Sequence, residues 1–208
     1  MDPIIVPAVI ATSQEELDEI LARLVGKAER VQLDVMDGAF VPTRSLNWDL
    51  ELRDGFIYEV HVMAYDPVRI MRHLAGRTHI AMFHYESGVE PGHAIGQLRE
   101  LGFRVYIVIG PETGAEAIEP FLGLLDGVVV MTVSPGRYGA PFLPQMLEKV
   151  ERIRELRGDI DIEVDGAMSP ENVRLAREAG ANVFVSGSYV LKSVDPAEAI
   201  RCLREAAE

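Results

Sequence analysis

The chain of 208 residues contains 20 basic and 33 acidic side chains, carries a formal net charge of −13 and is 48% hydrophobic. Its length fits one domain spanning residues 1–208, its composition excludes a disordered or membrane-embedded protein, and its acidity argues against a nucleic-acid partner. The single cysteine, Cys202, excludes a disulfide framework, and the start of the chain lacks the basic flank of a signal peptide, so we expect a cytoplasmic protein.

Eight short runs rich in β-branched residues recur along the chain and predict strands. Their starts lie between 22 and 32 residues apart, which is the length of one strand, one helix and two short loops. The predicted strands span residues 4–10, 30–36, 56–63, 78–85, 104–110, 127–133, 159–165 and 182–188.

The segments between these strands have the features of amphipathic helices. Ser13 and Glu16 form a capping box ahead of the first helix. Apolar residues at helical spacing predict a longer helix across 142–153. Three further helices begin where a capping residue precedes a first-turn proline, at Asp66-Pro67, Ser169-Pro170 and Asp195-Pro196.

Strict alternation of eight strands with helices predicts an α/β fold, the (β/α)8 TIM barrel, as a compact single domain. The alternative is an open doubly wound sheet. Such a sheet usually carries a glycine-rich nucleotide loop after an early strand, and this sequence has none. In a barrel, the chemistry belongs at the carboxyl ends of the strands.

Polar side chains gather at the carboxyl ends of three predicted strands. Because side chains alternate along a strand, Gln32 and Asp34 share the face that turns toward the barrel mouth, and His61 and Asp165 do the same on their strands. Two carboxylates and an imidazole that converge are typical of a divalent-metal site. Taken singly, each aspartate is at least as well explained as a cap of the next loop or helix.

Small residues after the last two strands, around Gly166 and Gly187, would let backbone N–H groups approach a phosphate. Two tight turns are the structural alternative. Segment 134–139 suits a mobile lid, with an ordinary surface loop as its alternative. Three methionines and one histidine near the strand ends are assigned to the substrate pocket, although core filling is the usual role of methionine. These residues are Met36, Met63, Met131 and His84.

Six sequence blocks follow one another along the chain: 31–42 (VQLDVMDGAFVP), 59–63 (EVHVM) with 66–67, 83–86 (FHYE), 131–136 (MTVSPG), 162–166 (IEVDG) with 170–172, and 185–188 (VSGS). Together they resemble the ribulose-phosphate 3-epimerase family. The resemblance implies a divalent-metal-dependent isomerase of the pentose phosphate pathway that interconverts D-ribulose 5-phosphate and D-xylulose 5-phosphate. It also implies a sugar-phosphate partner, and we expect a homo-oligomer.

The resemblance also implies roles for individual residues. Asp34 and Asp165 match the family's catalytic aspartates, one of which removes the C3 proton while the other returns a proton from the opposite face. Both match metal ligands together with His61. The residues that match the phosphate site are Gly139, Gly166, Ala167, Gly187 and Ser188.

The sequence departs from the family pattern near the ligand. Gln32 stands where the family has a fourth metal ligand, a histidine, and an amide oxygen is a weaker donor than imidazole. The identity of the metal (zinc, iron, manganese or magnesium) therefore stays open. The other departures are Ala8 for a serine, Tyr138-Gly139-Ala140 in the lid, and Ala167 for a second glycine.

Two alternatives to the pentulose-phosphate epimerase stay open. One is an epimerase of a related hexulose phosphate, and the other is a catalytically weak or inactive sugar-phosphate-binding barrel. A decarboxylase or aldol-type synthase of the same barrel group would need an Asp-x-Lys-x-x-Asp motif. Met36 stands at its lysine position.

Overall fold

The structure is a computed structural model that describes residues 1–46, 50–135 and 139–208, and its strands form one parallel sheet. Within these residues the strands are β1 (Ile4–Val6), β2 (Ala8–Val9), β3 (Arg30–Met36), β4 (Ile57–Met63), β5 (Ile80–His84), β6 (Arg104–Ile109), β7 (Gly127–Met131), β8 (Asp161–Asp165) and β9 (Val183–Val185). The sheet order is β1-β9-β8-β7-β6-β5-β4-β3-β2.

Pro7 divides the first predicted strand into β1 and β2. β1 pairs with β9 and β2 pairs with β3, so this divided strand joins the two ends of the sheet. Proline has no N–H to donate, but the Pro7 carbonyl accepts a hydrogen bond from the Gln32 N–H at 3.0 Å. The sheet is therefore a closed ring of eight strand positions, and the predicted (β/α)8 barrel is confirmed.

Helices cover the outside of the ring, and four of them begin at the predicted capping side chains, which are Ser13, Asp66, Ser169 and Asp195. Ser13 accepts a hydrogen bond from the Glu16 N–H at 3.2 Å, whereas the Glu16 carboxylate accepts from the Thr12 N–H rather than from Ser13. No helix among the described residues is both long and apolar enough to cross a membrane. The helices are α1 (Gln14–Leu24), α2 (Pro67–Leu74), α3 (Pro91–Glu100), α4 (Leu147–Leu156), α5 (Pro170–Glu178), α6 (Ser188–Leu191) and α7 (Pro196–Ala206).

Two crossovers differ from the prediction. Between β6 and β7 the described chain forms two 3₁₀ segments, Ala115–Ala117 and Glu119–Leu124, because Pro120 and Gly123 disfavour a continuous α-helix. The predicted start of the helix across 142–153 is wrong, because the α-helix begins only at Leu147. Pro144 cannot donate a backbone hydrogen bond, and it opens a 3₁₀ turn, Pro144–Met146, that leads into α4.

The strand register places the polar side chains at one rim. Asp34 on β3 lies beside His61 on β4, and Met131 on β7 lies beside Asp165 on β8. The outward side chains of these strands, such as Val35 and Val164, are buried in the layer beneath the helices. The inward side chains therefore meet inside the barrel at the carboxyl ends of the strands, as alternation predicts.

Candidate active site

Three potential metal-binding side chains meet inside the barrel, each from a different strand. Nδ1 of His61 lies 3.4 Å from Oδ1 of Asp34 and 3.2 Å from Oδ2 of Asp165. One ligand atom from each of the three residues lies within 4.8 Å of the others. The His61 side chain is 1% exposed, and those of Asp34 and Asp165 are 10% and 14% exposed. The three groups thus share one nearly dry site.

This cluster forms the floor of a cavity of about 390 Å³ that opens at the carboxyl ends of the strands. Gln32, Met36 and His84 are buried and are not among the described residues that line the cavity; Met36 packs against Met63 and Val41 beneath it. The proposed site residues that do line it are Asp34, His61, Met63, Met131, Gly139, Asp165, Gly166, Ala167, Gly187 and Ser188.

Gln32 lies between the two aspartates. Its Nε2 donates to Oδ1 of Asp34 at 2.7 Å and to Oδ2 of Asp165 at 3.0 Å, and it lies 3.4 Å from Nδ1 of His61. Its buried Oε1 has no hydrogen-bond partner among the described residues. The two ends of an amide have nearly the same shape, so half a turn would bring Oε1 to the carboxylates. That orientation is favourable with a cation between the oxygens, and the donor set therefore fits a divalent metal.

Burial and the mutual charges govern the pKa values at this site. Burial raises the pKa of Asp34, although the neighbouring His61 and Gln32 oppose the rise. Burial lowers the pKa of His61, but hydrogen bonds and charges from Asp165 and Asp34 outweigh it and raise the value to about 10. The two acidic groups thus attract positive charge to the site.

A line of hydrogen bonds leads from His61 away from the cavity. Nε2 of His61 lies 2.9 Å from Nε2 of His84, and Nδ1 of His84 lies 3.2 Å from Oε2 of Glu86. The His84 ring packs on Phe40, with 4.8 Å between the ring centroids. Burial lowers the pKa of His84 to about 4. The sequence pattern His84-Tyr85-Glu86 was the signal for this pair, but only a structure shows that both side chains turn toward His61.

The loops after β8 and β9 form one wall of the cavity. Gly166 has φ +131°, and a Cβ on it would lie 2.5 Å from Val133, so only glycine fits there. Ala167 has φ +54°, a left-handed conformation that costs an alanine about 1 kcal/mol. Its carbonyl accepts a hydrogen bond from Nδ2 of Asn172 at 2.7 Å. The interactions within this wall thus hold the loop after β8 against the cavity despite its strain.

Sequence reasoning missed Lys192, which lies on the rim of this wall just after α6. Among the described lining residues it is the only lysine or arginine. Its position one helical turn after Ser188 was the available signal. Of the proposed lid, residues 136–138 lie outside the described residues, while Pro135 and Gly139 line the cavity.

Beneath the site, one arginine joins two buried glutamates. Nε of Arg30 donates to Glu59, and its Nη2 donates to Oε2 of Glu163 at 3.2 Å. Both glutamates are fully buried, and Oε1 of each has no partner among the described residues. Burial raises the pKa of both glutamates, and Arg30 opposes the rise. The barrel interior is therefore ionic below the cavity as well as at its floor.

Comparison with known proteins identifies the family of this chain. Residues 2–191 match the family model described as "Ribulose-phosphate 3 epimerase family". The chain is 33% identical to ribulose-phosphate 3-epimerase of Schizosaccharomyces pombe, covering 96% of this chain and 92% of that protein. It is 32% identical to the Synechocystis enzyme of the same name, covering 97% and 93%.

Solved structures confirm the fold. KGPDC from Streptococcus mutans superposes with a TM-score of 0.74 at 11% sequence identity, covering 99% of this chain and 97% of that chain. 3-Hexulose-6-phosphate synthase from Salmonella typhimurium superposes with a TM-score of 0.66 at 13% identity, covering 98% of each chain. At such low sequence identity, the structural similarity shows only that the proteins share the barrel fold.

Proposed function

We propose the reaction of this chain from one premise: it belongs to the ribulose-phosphate 3-epimerase family. It is an isomerase that interconverts D-ribulose 5-phosphate and D-xylulose 5-phosphate by inverting the configuration at C3. The observation that carries this proposal is that Asp34 and Asp165 come from different strands and open onto one cavity with His61 between them.

Inversion at C3 needs a proton to leave one face of the carbon and another to arrive on the opposite face. Two carboxylates that open onto one cavity can each serve one face of the carbon, as base in one direction and as acid in the reverse direction. The buried floor excludes most water during each transfer, so each proton passes between C3 and a carboxyl group, and the carboxyl groups exchange their protons with solvent between turnovers. Asp34 and Asp165 therefore carry the two half-reactions.

A divalent cation held by Asp34, His61 and Asp165, with the amide oxygen of Gln32 as fourth donor, would polarise the substrate carbonyl and stabilise the negative charge that develops on oxygen. Met63 and Met131 contact the sugar chain from the cavity walls, and the nearby Met36 and His84 support that wall and the floor from behind. The identity of the cation depends on how well an amide replaces an imidazole.

The loops after β8 and β9 are the proposed phosphate-binding wall. Backbone N–H groups around Gly166, Ala167, Gly187 and Ser188 can donate to phosphate oxygens. Lys192 on the rim of this wall adds a positive charge that attracts the phosphate, and Gly139 also lines the cavity. We further propose a cytoplasmic homo-oligomer; a cytoplasmic isoform from Oryza sativa is a 32% identical relative.

Solvent-deuterium exchange at C3 tests the reaction. The wild-type protein with Mn²⁺, Mg²⁺, Zn²⁺ or Fe²⁺ should exchange the C3 proton of ribulose 5-phosphate and produce xylulose 5-phosphate, as followed by ¹H NMR. Asp34→Asn and Asp165→Asn should each lower the rate of epimerisation at least about 100-fold. Each variant should exchange the proton of at most one epimer, because the remaining carboxylate reaches one face.

Asp159→Asn is the matched control, because Asp159 is an exposed aspartate before β8 that pairs with Arg157. It should leave turnover unchanged. Turnover of a hexulose phosphate but not of the pentulose phosphate would show that the substrate is the hexulose phosphate. Binding of ketose phosphates without exchange under any of the four metals would identify an inactive binding barrel and end the proposal.

A further inference from the structure

The line from His61 through His84 to Glu86 ends at a firmly held carboxylate. Oε1 of Glu86 accepts hydrogen bonds from the Gly110 N–H at 2.7 Å and from the Thr113 hydroxyl. Burial raises the pKa of Glu86, but the hydrogen bonds from His84, Thr113 and Gly110 outweigh it and lower the value to about 2. The group is thus an ionised acceptor, and its second oxygen, Oε2, is left to face His84.

Because a carboxylate can only accept, Nδ1 of His84 must donate to it. The remaining nitrogen of the His84 ring, Nε2, lies 2.9 Å from Nε2 of His61, so these two atoms share one proton between them. The His84 side chain is 1% exposed, so water does not solvate it, and the doubly protonated, charged form of its ring is unfavourable. His84 therefore presents a lone pair, and Nε2 of His61 carries the proton.

We propose that Glu86 and His84 are positioning residues that keep the proton of His61 on Nε2 and so leave Nδ1 as the nitrogen that faces the metal position between Asp34 and Asp165. The inference rests on the proposed function only in taking a divalent metal as the occupant of that position. A histidine ligand commonly has its second nitrogen fixed by a hydrogen-bond acceptor, which sets its tautomer and ring orientation. Here the acceptor is a second histidine, His84. The direction of its hydrogen bonds is set by the carboxylate of Glu86, in the short turn after β5.

Glu86→Gln tests the direction of this line, because the Gly110 N–H admits only an oxygen at the Oε1 position. The amide NH₂ of the variant then faces His84 and donates to Nδ1. His84 is forced to carry its proton on Nε2, which pushes the proton of His61 from Nε2 to Nδ1. The substitution keeps the shape of the side chain and reverses every hydrogen bond in the line.

We expect two results with purified protein and no substrate, the first starting from the metal-free form and the second on the zinc-loaded form. Zn²⁺ affinity, measured by chelator competition, should fall by roughly 10- to 100-fold in Glu86→Gln. In ¹⁵N NMR of the imidazoles of zinc-loaded protein, wild-type His61 should be protonated at Nε2 and His84 at Nδ1. In the variant His84 should be protonated at Nε2 instead.

Glu112→Gln is the matched control, because Glu112 is an exposed residue of the same loop as Thr113 and the substitution removes the same charge. It should bind Zn²⁺ as the wild type does. Thr113→Val, which leaves the Gly110 hydrogen bond in place, should have a smaller effect than Glu86→Gln. Wild-type zinc affinity and unchanged His84 tautomer in a folded Glu86→Gln protein would overturn the inference. Neither measurement involves turnover, so failure of the epimerase reaction would be seen separately.

Discussion

Gln32 combines two properties that pull in opposite directions at the floor of the cavity. As a hydrogen-bond donor it links Asp34 to Asp165 and reduces their repulsion without any metal. As a metal ligand it must turn Oε1, which has no partner among the residues that the structure describes, toward the same carboxylates and lose both hydrogen bonds. Metal binding at this site therefore competes with an internal amide, which a histidine at the same position would not supply.

Gln32→His should consequently bind Zn²⁺ at least about ten-fold more tightly than the wild type, which corresponds to about 1.4 kcal/mol. Epimerase activity at limiting metal should rise with it. Chelator competition and elemental analysis of protein purified without chelator measure the effect. Gln97→His on α3 is the control for a new surface histidine. Equal or weaker zinc binding by Gln32→His would show that the amide is the better ligand for this barrel.

At the scale of elements, one carboxylate ties three strands together at the end of the barrel opposite the cavity. Asp161, the first residue of β8, accepts hydrogen bonds from the Tyr106 hydroxyl at 2.6 Å, from Nδ2 of Asn182 at 2.9 Å and from Nη2 of Arg104 at 3.1 Å. Burial raises the pKa of Asp161, but these donors outweigh it and hold the value below its usual range. The ionised carboxylate thus links the start of β8 to β6, two strands away, and to the residue that precedes β9.

Asp161→Asn should lower the free energy of unfolding by about 1–2 kcal/mol at pH 7, because an amide is a weaker acceptor than a carboxylate. A lowered pKa contributes stability above the unfolded value, about 3.9, and the contribution disappears as the pH falls through the folded value. The difference between wild type and variant should be constant above about pH 5 and shrink below about pH 4. Urea unfolding at several pH values measures it. Asp159→Asn is the control, and a difference that grows on acidification would contradict the assignment.

The elements themselves were largely predictable from sequence, for local reasons. Alternation along 30–36 fixed the inward face of β3, and capping residues such as Ser13 and Asp195 marked helix starts correctly. The crossover between β6 and β7 was not predictable from hydrophobic spacing alone. Its proline and glycines shift the balance from α to 3₁₀, and packing against the sheet decides the outcome.

The site residues that lie on strands were predictable from the alternation of side chains, whereas those beyond the strand ends were not. Asp34, His61 and Asp165 follow from alternation, because the closed ring brings their strand ends together. Glu86 and Lys192 do not, because each lies beyond the end of a strand and its direction depends on the path of a loop or short helix. Such paths are set by tertiary contacts rather than by a repeating pattern.

At the scale of the whole molecule, the barrel is held from inside by an ion cluster as well as by apolar packing. Arg30 on β3 contacts Glu59 on β4 and Glu163 on β8, so the cluster spans the ring. Removing one member of a buried cluster leaves the opposite charge uncompensated, which usually costs more than the cluster contributes. The stability of the fold therefore depends on the complete set.

Arg30→Met should lower the free energy of unfolding by about 3–5 kcal/mol, because two buried carboxyl groups lose the guanidinium that pairs with both of them. Combining it with Glu59→Gln and Glu163→Gln should restore part of the loss, since neutral amides need no counter-ion. Chemical denaturation of the wild type, the Arg30→Met variant and the triple variant measures both effects. Arg174→Met on the exposed side of α5 is the control. A triple variant less stable than Arg30→Met would show that the charges themselves hold the barrel.

β1 pairs with β9 and β2 pairs with β3, so the sheet closes into a cylinder at Pro7, which lies between β1 and β2. Just beyond it, the Ala8 N–H reaches the Ser186 carbonyl at 3.4 Å, which is longer than the usual N–H···O distance in proteins. Ala8 and Ser186 both line the cavity, one from each side of this junction. A substrate that touches both residues spans the joint, so occupancy of the cavity reinforces the closure of the cylinder, and resistance to local opening there rises with substrate affinity.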